Sequence, residues 1–273
     1  MQDLTVCLVQ FDQYWEAPKR NYAKITSLME KSQNSMDLVL LPEMFETGFS
    51  MNTQLCSEAW IDSEGLDFLK HLSRDYNTAL YTSMMAKTEN GFVNRGVLVE
   101  QDGKVSIYDK RHLFALGGEK AAFEAGRDEV IVSVKGWNLM LQICFDLRFP
   151  EASRNQVMAD GSFRYDALLY VANWPAKRID HWNVLLSARA LENQAFVCAV
   201  NRTGMDGNNL AYNGHSALYS PEGSVLGSLG DVNEGILSLT LSQSLLCESR
   251  KNLPFLKERL GKLLCFLYFY ALN

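Results

Sequence analysis

Apolar positions along this chain recur in two periods, and the period changes from segment to segment. Residues 5–10 are apolar almost without break, as in a short buried strand. Residues 18–33 place Tyr22, Ile25, Leu28 and Met29 on one helical face, with charges on the other. Residues 37–42 are a second buried run. A helix over 66–76, with Leu66, Leu69 and Leu72 on one stripe, leads into a strand over 79–85. Strands over 91–99 and 104–108 flank Gln101-Asp102-Gly103, a hairpin turn. A long loop over 111–125 precedes the apolar run Leu139-Met140-Leu141-Gln142-Ile143-Cys144, which reads as a buried strand that turns, through Pro150, into a helix near 151–158. Further on come a strand over 166–172, a helix over 179–193 and a strand over 195–200. Segments 217–219 and 224–226 flank Pro221-Glu222-Gly223, another hairpin signal, and 235–241 is the last strand. Alternating strands and helices with interposed hairpins predict an α/β fold, with a mixed sheet or two sheets covered by helices.

The 273 residues are 47% hydrophobic and 21% charged, an ordinary soluble composition. No linker, low-complexity tract or repeat divides them, so a single domain over 1–256 is expected, followed by a tail over 257–273. A net charge of −6 without a basic block argues against nucleic acid as a partner. The six cysteines are scattered without a Cys-x-x-Cys pair and the four histidines are dispersed, so no metal is expected. The start of the chain lacks the basic and apolar stretches of a signal peptide, and a reducing, cytoplasmic setting is expected. Leu263 to Leu272 is apolar but shorter than the ~20 residues that span a bilayer. It is expected to pack on the body or on a second subunit, with no membrane partner.

Three strand-like runs end in reactive side chains. Residues 37–42 end at Glu43, 104–109 at Lys110 and 139–143 at Cys144. If these strands share one sheet, a carboxylate, an ammonium and a thiol converge on one edge. A thiol attacks as thiolate, so Cys144 needs a base. Glu43 can take the proton if burial raises its pKa, and Lys110 can stabilise thiolate and oxyanion. The backbone N–H of Phe145 is a natural second oxyanion donor. Such a set suits acyl transfer through a thioester, without a cofactor. Each residue has a plain alternative too: a packed thiol, a surface carboxylate, a solvated strand end.

The blocks Leu40-Leu41-Pro42-Glu43-Met44-Phe45, Tyr108-Asp109-Lys110-Arg111-His112-Leu113 and Ile143-Cys144-Phe145-Asp146-Leu147-Arg148-Phe149-Pro150-Glu151 resemble the three signature blocks of the nitrilase superfamily of carbon–nitrogen hydrolases. Ala172-Asn173-Trp174-Pro175 and Asn201-Arg202-Thr203-Gly204 are further matches. The resemblance implies a four-layer αββα sandwich, assembled as a homodimer or higher homo-oligomer, with Glu43, Lys110 and Cys144 catalytic and Glu119 as a second glutamate that holds the lysine. Within the superfamily the chain is most similar to the omega-amidase branch, through Glu43 to Met51, His112 to Phe114 and Ala172 to Pro175. That branch implies a small-molecule substrate, the terminal amide of a 2-oxo acid such as 2-oxoglutaramate or 2-oxosuccinamate. Its carboxylate calls for a cation, and Arg148 and Arg178 are the candidates. Arg148 could instead form a buried pair with Asp146. Phe45, Phe114 and Trp174 are candidate pocket walls, or core aromatics.

The chain departs from the family pattern by continuing past residue 256 into the apolar tail. Other readings stay open: a carbamoyl-amide hydrolase, a true nitrilase, or a non-catalytic interaction protein on the same fold.

Overall fold

Two mixed β-sheets face each other across the buried strands that the hydrophobic pattern marks. The computed structural model describes residues 2–32, 36–56, 58–231 and 234–259; the apolar stretch 263–272 lies outside them. The first sheet contains β1 (Leu4–Gln10), β2 (Leu38–Leu40), β3 (Ala79–Thr88), β4 (Gly91–Val99) and β5 (Val105–Asp109), with β14 (Gly235–Leu241) at its far edge, in the order β14-β1-β2-β3-β4-β5. The second contains β6 (Ile131–Val134), β7 (Trp137–Ile143), β8 (Ala167–Ala172), β9 (Phe196–Asn201), β12 (Ala217–Tyr219) and β13 (Val225–Ser228), in the order β13-β12-β9-β8-β7-β6. A small hairpin of β10 (Thr203–Met205) and β11 (Ala211–Asn213) stands apart.

Each sheet has a parallel trio at its centre. β1, β2 and β3 run parallel in the first, as β7, β8 and β9 do in the second, and the outer strands join antiparallel. Strands buried on both faces need apolar side chains of both parities. β1 shows this: Leu4, Val6 and Leu8 join the core with the second sheet, while Cys7 and Val9 join the core beneath the helices.

Those helices are α1 (Pro18–Met29) and α2 (Glu64–Asp75). Pro18 opens α1 where its missing N–H costs nothing, and Ser63 caps α2 by accepting from Leu66 N. On the opposite side α4 (Ile179–Asn193) buries Trp182, Leu186 and Ala190 against the second sheet. The layers are therefore α, β, β, α. A one-turn helix, α3 (Glu119–Ala122), interrupts the long loop, and α5 (Gln243–Asn252) follows β14.

One supposition does not hold and one expectation is corrected. The strands ending at Glu43, Lys110 and Cys144 do not share a sheet: β2 and β5 belong to the first and β7 to the second. Their ends meet because the sheets are stacked, with Tyr81 of β3 donating across the gap to the Gln142 carbonyl at 3.0 Å. The helix expected near 151–158 is only a 3₁₀ turn, Pro150–Ser153. Asn155 ends it, because its side chain bonds the Tyr165 and Asn193 carbonyls (3.0 and 2.9 Å) and so ties this segment to distant backbone.

Candidate active site

Cys144 is the first residue past β7, where the chain turns into a 3₁₀ helix, Cys144–Arg148. Its φ of 41° lies in the left-handed region that a side-chain-bearing residue rarely adopts. Asp146 stabilises that turn. Its buried carboxylate accepts from Ile143 N (2.9 Å) and Tyr108 OH (2.7 Å) on one oxygen, and from His112 N (3.1 Å) and Nδ1 (2.8 Å) on the other. Asp146 is thus joined to the β5 side of the site and is not the partner of Arg148.

Beside Cys144 lies a buried polar cluster. Lys110 Nζ donates to Glu43 Oε1 at 2.8 Å and to both oxygens of Glu119 at 2.8 and 2.9 Å. Asn94, on β4, donates through Nδ2 to Glu43 Oε1 (2.9 Å) and Glu119 Oε1 (3.0 Å). Asn173, just past β8, donates its backbone N–H to Glu43 Oε2 (2.9 Å) and its side-chain Nδ2 to the Glu43 carbonyl (2.6 Å). Phe114 N closes the set on Glu119 Oε2 at 2.6 Å. The Asn173 carbonyl lies 3.9 Å from Cys144 Sγ. Two carboxylates around one ammonium leave the cluster an excess negative charge, held by neutral donors in a dry interior.

Burial dominates the acid–base behaviour. It raises the Glu43 pKa, against the pull of Lys110, and Glu119 adds to the rise. Burial and the nearby Glu43 likewise hold the Cys144 thiol well above its usual range, although Lys110 opposes them. Burial disfavours the Lys110 ammonium, but Glu119 and Glu43 outweigh it and keep Lys110 protonated. The sulfur therefore rests as a thiol, beside a carboxyl group whose proton affinity burial has raised.

The cluster opens into a cavity of about 890 Å³, within the range of small-molecule sites. Phe114, Phe145, Arg148, Trp174 and Arg178 line it, as do Lys110 and Cys144. Arg148 lies over the Trp174 ring at 4.7 Å and donates to His181 Nδ1 at 3.0 Å. Arg178 lies over the Phe114 ring at 5.4 Å. Partial burial and the charge of Arg178 both lower the Arg148 pKa. Two guanidinium groups thus repel each other on one side of the pocket, an arrangement that an anion relieves.

Phe45 departs from its expected place. The turn at Met44, φ 47°, directs it into the helix layer, where it is buried between Tyr22 and Phe68 at ring distances of 5.9 and 6.2 Å. Phe49, four residues on, lines the pocket instead and faces Lys110 Nζ at 5.3 Å. Sequence reasoning also passed over Asn94 and over Tyr212, which lines the pocket. Asn94 did leave a signal, a polar Asn94-Arg95 pair inside an otherwise apolar strand. Tyr212 sits on β11, too short to read as a strand.

Fold and site together define a class: a four-layer α/β sandwich with a buried thiol, ammonium and paired carboxylates at the meeting of its two sheets. The family model for carbon–nitrogen hydrolases matches residues 5–251. Omega-amidase YafV of Yersinia enterocolitica is 39% identical over 93% of this chain and 96% of its own length. The 2-oxoglutaramate amidase of Bacillus subtilis is 31% identical over 92% and 95%. The crystal structure of a CN-hydrolase superfamily protein from Xanthomonas campestris, which has an arsenic adduct in its active site, superposes with a TM-score of 0.92 at 36% identity, covering 96% of this chain and 98% of that one. The chain belongs to the carbon–nitrogen hydrolase family.

Proposed function

We propose that this chain is a cysteine-dependent amidase hydrolysing the terminal amide of small 2-oxo dicarboxylic acid monoamides, such as 2-oxoglutaramate and 2-oxosuccinamate. The observation that carries this reading is the cluster of Glu43, Lys110 and Glu119 beside Cys144, in a pocket that also holds Arg148 and Arg178. A short substrate with an amide at one end and a carboxylate at the other suits both features. The names of the Yersinia and Bacillus relatives support the same substrate class. The amidase of Nesterenkonia sp. AN1 is 26% identical, with a TM-score of 0.77 over 92% of this chain and 98% of that one. A mutant of it, with one glutamate changed to glutamine, undergoes Michael addition of acrylamide at its active-site cysteine, which supports the choice of nucleophile.

In this mechanism the Cys144 S–H bond breaks as Glu43 takes the proton and sulfur adds to the amide carbon. The carbonyl π electrons move to oxygen, where the Phe145 backbone N–H donates to the oxyanion. Lys110 contributes its charge, since its three N–H bonds are engaged by the two glutamates. Glu43 returns the proton to nitrogen, the C–N bond breaks and ammonia leaves a thioester. Water then adds to the thioester carbon and gives a proton to Glu43. The C–S bond breaks, and that proton returns to sulfur as the acid departs. Arg148 and Arg178 hold the substrate carboxylate over walls formed by Phe114 and Trp174.

Ammonia release from 2-oxoglutaramate, measured for the wild type and Cys144→Ala, tests the proposal. Turnover is expected in the first and not in the second, with the fold retained. Equal release from the variant, or a preference for fatty or aromatic amides, would sink it. Turnover confined to carbamoyl amides or nitriles would move the chain to another branch of the family.

A further inference from the structure

We infer that Glu43 carries the catalytic proton on Oε2 alone, and that Asn94 is the positioning residue that reserves Oε1 for structure. This rests on the amidase chemistry proposed above, but the observation behind it is separate: a count of acceptor sites on the two buried glutamates.

A carboxylate offers about four lone-pair directions, two on each oxygen. Glu119 has all four occupied. Its Oε1 accepts from Lys110 (2.8 Å) and Asn94 (3.0 Å), and its Oε2 from Lys110 (2.9 Å) and Phe114 N (2.6 Å). Glu43 has three occupied: Oε1 accepts from Lys110 (2.8 Å) and Asn94 (2.9 Å), and Oε2 accepts from Asn173 N (2.9 Å). An ammonium, a carboxamide NH₂ and a peptide N–H are donors only, so none of these positions can exchange roles with an incoming proton. Glu119 is shut out of proton transfer. Glu43 keeps one direction, on Oε2, that no ammonium, amide or peptide donor among the described residues fills, and the Cys144 thiol interacts with this carboxylate.

Asn94 makes the difference at Oε1. One amide nitrogen bridges both carboxylates, and the reverse orientation would set Oδ1 against two carboxylate oxygens. Asn94 Oδ1 is itself buried without a hydrogen-bond partner among the described residues, so the side chain forgoes a bond of its own to maintain the bridge. Its backbone is tied in as well, because the Asn94 carbonyl accepts from Lys110 N at 2.9 Å. The same residue therefore sets the lysine's place on the main chain and the glutamate's proton acceptor on the side chain.

The consequence is a shift in a pH profile. Removing the Asn94 donor opens Oε1 and destabilises the charged form of Glu43, so the base holds a proton to higher pH. The test is the rate of Cys144 alkylation by iodoacetamide against pH in the full-length wild type, Asn94→Leu and Asn94→Asp. Mass spectrometry of the Cys144 peptide keeps the exposed Cys247 out of the measurement. The rising limb reports loss of the proton shared by Glu43 and the thiol. It should move up by about one pH unit in Asn94→Leu, and at least as far in Asn94→Asp, where a third carboxylate adds repulsion. A residue that only fills space would change the height of the curve and leave the limb in place; limbs coincident with wild type overturn the inference. Circular dichroism checks folding, and if Asn94→Leu fails to fold, the near-isosteric Asn94→Asp decides. Alkylation needs no amide substrate. A shifted limb without 2-oxoglutaramate turnover therefore sinks the substrate reading and leaves this one, while normal turnover with an unshifted limb does the reverse.

Discussion

Glu43, the base in the proposed mechanism, is a glutamate whose pKa burial has raised, with Lys110 opposing the rise and Glu119 adding to it. Glu43 must be unprotonated to take the thiol's proton, so activity should be lost as pH falls through that raised value. A pH profile of kcat/KM is therefore expected to show an acid limb above the ordinary carboxylate value of 4.5. A limb at or below that value would show that Glu43 is not the base. At this scale the sequence was informative where chemistry demands a rare residue: a thiol, a carboxylate and a lysine each just past an apolar run. It gave only a polar Asn94-Arg95 pair, with no role for it, and did not reach which oxygen of Glu43 takes the proton, because both depend on which hydrogen bonds close in three dimensions. Phe45 shows the same limit, since its hydrophobicity suits a pocket wall and a core equally well.

Among the elements, the hydrophobic periods located most strands and α1, α2 and α4. They missed β6, the β10–β11 hairpin and α5, which are short or mostly polar and leave little periodic signal. The end of β5 matters most to the site, because it delivers Lys110. There Gly126 N donates to the Lys110 carbonyl at 2.9 Å, and a Cβ on Gly126 would stand 2.0 Å from the Asp109 carbonyl oxygen. Backbone cannot yield as a flexible side chain can. Gly126→Ala is expected to push the strand end aside, costing about 2 kcal/mol of stability and displacing the ammonium. Urea unfolding and ammonia release should fall together; a variant with unchanged values of both would show that the loop absorbs the methyl group freely.

The molecule as a whole depends on two sheets staying in register. Asp146 joins the end of β7 to Tyr108 and His112 on the side of the first sheet, through four accepted hydrogen bonds. Asp146→Ala would leave several buried donors without partners and free the Cys144 turn. A loss of about 3 kcal/mol or more is expected in chemical denaturation, with turnover depressed even where the variant remains folded. A small change in stability with full activity would mean that stacking of the apolar faces alone aligns the sheets. The two sheets also repeat one plan, a parallel trio with one antiparallel strand on one side and two on the other. No sequence repeat announces it, since any apolar residue of suitable size can fill such strands.

By itself the sequence determined which segments are buried, where they end in reactive side chains, and, through three motif blocks in order, the family to which the chain belongs. Those are local properties, set by side-chain chemistry and spacing along the chain. Only the tertiary structure decided that the thiol comes from one sheet and the carboxylate and ammonium from the other. It also decided which aromatic rings wall the pocket and which acceptor directions remain open on Glu43. Each of these depends on contacts between residues far apart in sequence, such as Asn173 and Glu43 or Asp146 and Tyr108. Hydrophobic patterning orders a strand against its own faces, but it carries no term for the strand it will meet across the core.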